Sequence, residues 1–197
     1  MSLDPRIEHA LDKLLQKNLC AVHTGTVPVR ETDKDGFADV SCTLPAGAVC
    51  LRWDIEKVAF NFLRDARTAA DGALLVVRGD GSVEAHVMEC KRTVDHDEWA
   101  KAKRQMRWSL ARLRALAGVL GVTIDRTCCY IAYREETFST DPGLVKLMLG
   151  DVDDPETRLL REQFDWPDAT IDLGGYPRRW PHRKVRLDGA GHGSIDL

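Results

Sequence analysis

Residues 73–91 constrain the fold more than any other stretch: "ALLVV", then "RGDGS", then "VEAHVMECK". Two runs rich in aliphatic and β-branched residues flank Gly79, Asp80 and Gly81, which tolerate the positive φ of a tight turn, so the stretch reads as an antiparallel hairpin. With the turn centred on Asp80, partner numbers sum to about 160, and Asp71 falls opposite Glu89 with Cβ atoms about 5 Å apart. Alternate residues of a strand share a face, so Glu89 and Lys91 follow Val83, Ala85 and Val87 along one side. That face begins aliphatic and ends in an acid and a base. Asp71, Glu89 and Lys91 are therefore expected to meet at the open end of the hairpin, while His86 and Cys90 pack on the other face.

A hairpin is marginal alone and needs covering layers. Residues 4–18 carry Ile7, Leu11, Leu14 and Leu15 at helical spacing, with Pro5 suited to a first turn. Residues 20–50 are enriched in Thr and Val and broken by Asp33, Gly36, Pro45 and Gly47, a pattern of short strands and turns. Residues 52–70 read either as a helix capped by Asp54, with Ile55, Val58, Ala59 and Phe62 along one side, or, at "VAFNFL", as a strand. After the hairpin, Asp95 or Asp97 caps a long helix whose stripe is Trp99, Ala102, Met106, Leu110, Leu113, Ala117 and Leu120, with Gly118 and Gly121 near its end. Residues 127–133, "TCCYIAY", form a buried strand by composition, and two short helical stretches, 144–149 and 156–164, precede a Gly- and Pro-rich tail. The expectation is one α/β domain over residues 1–150 and a basic C-terminal extension over 151–197.

Composition narrows the functional classes. With 44% hydrophobic and 30% charged residues the chain is neither disordered nor collagenous, and 197 residues suit one well-buried core. The net charge of −3 excludes a uniformly basic nucleic-acid coat but leaves local patches open. No apolar run approaches the roughly 18 residues that span a bilayer, so no membrane partner is expected. Six cysteines without a C-x-x-C pair suit reduced thiols and a cytoplasmic location.

Two carboxylates that converge across a hairpin repel each other, and a hard divalent cation removes that cost. Mg²⁺ takes oxygen ligands, commonly one or two carboxylates together with phosphate oxygens and waters. Lys91 beside such a site could orient or deprotonate a water, or stabilise charge on a phosphate. Glu89 and Lys91 also compose an ordinary solvated pair at a strand end.

Asp71 in "ADGALLVV", Glu89 and Lys91 in "VMECKR" and Gln105 in "KRQMRWSL" together resemble the PD-(D/E)XK nuclease superfamily over roughly residues 54–135. The Pro of that name is absent, since Ala70 precedes Asp71. The resemblance implies a restriction-endonuclease-like core, a mixed central β-sheet flanked by helices. It also implies hydrolysis of phosphodiester bonds with Mg²⁺ or Mn²⁺, on DNA ahead of RNA, in defence or repair. Asp71, Glu89 and the main-chain carbonyl of Cys90 would hold the metal, Lys91 would act on the attacking water, and Gln105 would support the site. A further acid is expected from Glu56 or Glu8. The other reading is a catalytically silent module of the same fold that binds nucleic acid or a protein partner, including a second copy of itself.

Two basic stretches bear on a nucleic-acid partner. The long helix carries Lys101, Lys103, Arg104, Arg107, Arg112 and Arg114 without an acid until Asp125, suited to phosphate contact or to a solvated face. The tail carries Arg178, Arg179 and Arg183 near Tyr176 and Trp180, suited to phosphate contact with base stacking or to packing on the domain. His182 and His192 lack partners at zinc-finger spacing.

Overall fold

The computed structural model describes residues 3–14, 19–32, 37–54, 68–138 and 165–197. Helix α1 (Pro5–Lys13) opens the chain. Strands β1 (Cys20–Thr24), β2 (Thr26–Glu31), β3 (Ala38–Thr43) and β4 (Val49–Trp53) follow, then the hairpin β5 (Gly72–Val77) and β6 (Val83–Val94). Helix α2 (His96–Leu120) leads to β7 (Arg126–Glu136), and β8 (Thr170–Ile171), β9 (Trp180–Arg186) and β10 (His192–Asp196) complete the chain. The strands form a seven-stranded sheet, β1-β4-β5-β6-β7-β9-β8, and a three-stranded sheet, β10-β3-β2. The larger sheet is mixed: β4, β5 and β6 are antiparallel, whereas β6, β7 and β9 run parallel. The class is α/β.

The hairpin takes the register that its turn dictates, with Gly72 opposite Met88 and Val77 opposite Val83. Because β6 and β7 are parallel, their connection must cross over a face of the sheet, and α2 is that crossover. Its first turn is capped by Asp95, whose side chain accepts from the Glu98 N–H, and it stops at Gly121, whose φ of 69° a Cβ would disfavour. Every residue of the expected stripe from Trp99 to Leu120 is buried. It packs on Val83, Ala85 and Val87 together with Ile7 and Ala10 of α1, so both helices cover one face.

The other face differs from the expected helical flank. The small sheet covers it, burying Val27, Val29, Val40 and Cys42 against Leu74, Val76, Met88 and Tyr130. Gly72 permits the close approach: a Cβ there would lie 2.8 Å from Val29 Cγ1. Two strands of the 151–197 segment, β8 and β9, join the large sheet, and β10 pairs parallel to β3, so the described part of that segment is integral to both sheets. The 52–70 stretch begins as the end of β4; residues 55–67, with "VAFNFL" and Glu56, and both short helices of 144–149 and 156–164 lie outside the described residues. No described helix is long and apolar enough to cross a membrane.

Candidate metal centre

The open end of the hairpin gathers the residues that alternation places there. Asp71 Oδ2 accepts a 2.7 Å hydrogen bond from the Cys90 N–H, which ties the residue before β5 to the acid-bearing end of β6. Lys91 Nζ lies 2.8 Å from Glu89 Oε1 and 3.2 Å from Glu98 Oε2 in the first turn of α2, and donates to Gln105 Oε1 at 3.4 Å. Glu89 is 1% exposed, and its Oε2 has no hydrogen-bond partner among the described residues. Cys90 and His86 face the small sheet, as the strand period requires; His86 Nδ1 is 2.9 Å from the Tyr130 hydroxyl.

Helix α2 also positions Asp71 through the backbone that precedes it. The Gln105 amide donates to the Ala69 carbonyl at 3.0 Å, Ser109 Oγ accepts from the Ala70 N–H at 2.8 Å, and Arg112 donates to the Thr68 carbonyl at 3.2 Å. Residues 105, 109 and 112 recur at the spacing of one helix face. Gln105 thus joins two parts of the site, holding Lys91 through its oxygen and the Asp71 segment through its nitrogen.

Among the described residues, the acid that joins Asp71 and Glu89 is Glu31, which is neither Glu8 nor Glu56, and Glu56 lies outside the described residues. Glu31 ends β2, hydrogen-bonds the Asp71 carboxyl and acts electrostatically on both Asp71 and Glu89. Glu8 is instead exposed on α1 and is not among the leading charges on either carboxyl. The sequence holds a signal for Glu31: Val27 and Val29 are fully buried, and Glu31 continues their face, as Glu89 continues that of Val83, Ala85 and Val87. Glu31 borders a cavity of about 420 Å³ shared with Arg30, Arg52, Asp54 and Asp71, and also a small hollow beside Cys90 and Lys91.

Burial, the Glu31 hydrogen bond and the Glu89 charge push the Asp71 carboxyl up to about 9, despite the opposing Cys90 N–H. Burial pushes Glu89 up to about 7, with Lys91 pulling against it. Lys91 is lowered by burial, but Glu89 and Glu98 more than offset this and hold it above its usual range, so its ammonium is charged. Among the described residues, no group of three or more His, Cys, Asp and Glu side chains is already arranged around one point as a metal cage. The donor set nevertheless fits a hard cation that keeps waters. It offers Glu89 Oε2, the Asp71 carboxyl raised by burial and by its neighbouring acids, and the Cys90 carbonyl, which points with its N–H toward the β5 side.

The expected nucleic-acid contacts divide. Lys101 and Arg104 are exposed on α2 within a turn of Gln105. The remaining basic side chains of α2 are engaged, Lys103 and Arg114 by residues 165–180, which pack over the helix, and Arg112 by the Thr68 carbonyl. Lys103 is buried 3.0 Å from Asp165, and Arg114 stacks on Tyr176 and Trp180; Arg107 lies beside the Trp108 ring. A strongly positive outer face is therefore reduced to a few side chains. Arg178 and Arg179 line a separate cavity toward the start of β6, and Arg183 lies over Tyr130 on the opposite face of the sheet, its NH1 donating to the Asp196 carbonyl. None of the three converges on Asp71. His182 packs beside Trp99 and Trp166, and burial lowers it to about 4, a neutral ring within a core. No protein-family model, curated protein or solved structure matches the chain.

Proposed function

We propose that the protein is a metal-dependent nuclease that hydrolyses phosphodiester bonds, with DNA as the favoured substrate. The observation that carries this reading is the meeting of Asp71, Glu89 and Lys91 at the end of the hairpin, with Gln105 of the crossover helix on Lys91. The strand order β4-β5-β6-β7, antiparallel up to β6 and parallel across α2, supports a restriction-endonuclease-like core. Asp71, Glu89 and the Cys90 carbonyl would hold Mg²⁺ or Mn²⁺, with Glu31 as the further acid. The ion, when bound, polarises the phosphoryl group and lowers the pKa of a coordinated water.

The chain's own groups divide the remaining work. Charged Lys91 donates, and so serves to orient the attacking water and to stabilise charge on the phosphate. Glu98 and Gln105 hold its Nζ. Lys101 and Arg104 on the outer side of α2 are placed to neutralise the substrate backbone. The deciding assay incubates wild type and Lys91→Ala with single- and double-stranded DNA and RNA, in Mg²⁺, Mn²⁺ or EDTA. Cleavage should need metal and vanish in Lys91→Ala with binding retained. Equal cleavage by the variant sinks the assignment, and EDTA-resistant binding without products in any condition establishes the silent module instead.

A further inference from the structure

A second cavity, also about 420 Å³, lies at the start of β6 and β7, lined by Arg78, Arg126, Arg178 and Arg179 around a floor that includes His86, Thr127 and Trp180. Glu84 and His86 stand there on the face of β6 opposite Glu89, and Glu84 is about 16 Å along the strand from it at about 3.3 Å per residue. The site is thus separate from the metal centre. Two acids also line it, Glu84 and Asp125. Glu84 is held by Arg78 at 2.6 Å, and Asp125 Oδ2 accepts from the Val83 N–H. Arg179 is paired with Asp168 at 2.7 Å. That leaves Arg126, 83% exposed and 3.8 Å from Glu84, and exposed Arg178, whose guanidinium stacks 4.1 Å from the Trp180 ring centre.

His86 Nδ1 is 2.9 Å from the Tyr130 hydroxyl and its Nε2 3.4 Å from Glu84 Oε2, so the ring is held within the protein, and half-buried Cys128 and exposed Pro181 supply apolar lining. We propose that this cavity binds a nucleoside phosphate, its phosphate on Arg126 and Arg178 and its base over the floor beside Thr127, Cys128 and Pro181. Guanidinium groups match phosphate geometry. The same chemistry is presented by a free nucleotide and by the 5′-phosphorylated end of a nucleic acid.

The test is calorimetric titration of the full chain in EDTA, which keeps the outcome independent of metal-dependent cleavage. The probes are dAMP, deoxyadenosine, inorganic phosphate, and one oligonucleotide with a 5′-phosphate or a 5′-hydroxyl. Expected are saturable binding of dAMP, at least about tenfold weaker binding of deoxyadenosine and of inorganic phosphate, and at least about tenfold loss in Arg126→Ala/Arg178→Ala. Both substituted side chains are exposed, and unchanged circular dichroism verifies the variant's fold. Tight binding of the 5′-phosphorylated oligonucleotide assigns the site to a strand end, and preference for dAMP assigns it to a free nucleotide; either supports the proposal. No saturable binding of dAMP or the 5′-phosphorylated strand, undiminished binding by the double variant, or equal affinity for deoxyadenosine or inorganic phosphate overturns it.

Discussion

Replacing Asp71 by Asn is expected to stabilise the protein at alkaline pH in EDTA, because the folded state holds protons on this site that the unfolded chain releases. Asp71 moves from 3.8 to about 9 on folding, and Glu89 from 4.5 to about 7. From pH 4 upward the unfolded chain loses these protons first, so wild-type stability falls with rising pH and levels off only above the folded values. The rise of Glu89 alone, at about 1.4 kcal/mol per pH unit, corresponds to about 3 kcal/mol by pH 8. Asp71 shifts further, but the two share one mutual repulsion, so their costs are not added. Asn keeps an oxygen for the Cys90 N–H and removes the charge. Because Asp71 shifts further than Glu89, Asp71→Asn, which removes the Asp71 cost and leaves the burial cost of Glu89 in place, is expected to gain on the order of 3 kcal/mol at pH 8, or about 6–12 °C in Tm for a chain of this size, and much less at pH 4. Thermal melts from pH 4 to 9 with and without Mg²⁺ read this out; the cation should raise the wild-type Tm and leave the variant nearly unmoved. A wild-type Tm that does not fall across pH 5–9, or equal Mg²⁺ shifts in both proteins, would refute the reasoning.

Glu31→Gln should lower the apparent affinity for Mg²⁺ in cleavage by about 10- to 100-fold, as losses of supporting ligands do, and a metal titration of initial rates checks it. Gly72→Ala places a methyl 2.8 Å from Val29 Cγ1 between the two sheets; overpacking of this kind costs about 1–3 kcal/mol in a urea melt. Asp165 accepts from Lys103 Nζ and Trp99 Nε1, both at 3.0 Å, and from the Asp172 N–H. Asp165→Asn should therefore cost about 3–5 kcal/mol by removing the carboxylate charge from a buried ammonium, and Lys103→Met added to it should recover part of the loss.

The hairpin was legible because its information is local. Alternation set which side chains share a face, and Gly79-Asp80-Gly81 set the register, so the Asp71–Glu89–Lys91 meeting follows from short-range geometry. The α2 stripe was legible for the same reason. Glu31 carries the same signature, a buried aliphatic face that ends in an acid, but it lies 40 residues before Asp71 and on another sheet. No local rule brings β2 to β6.

What the sequence by itself determined, then, is the class of the elements, the hairpin register and the residues that converge at its end, because period-2 and period-3.6 patterns encode burial directly. Tertiary structure alone decided three things. It laid a second sheet over the face opposite α2, which brought Glu31 to the carboxylates. It drew the tail into both sheets and over α2, so that basic residues resembling a phosphate-binding face became internal partners of Asp165, Tyr176 and Trp180. And it placed Arg178 and Arg179 with Arg78 and Arg126 at the far end of the hairpin. The physical reason is common to all three. Which faces cover one another depends on burying apolar area across long sequence separations, and a charged residue's role depends on which partner that burial delivers.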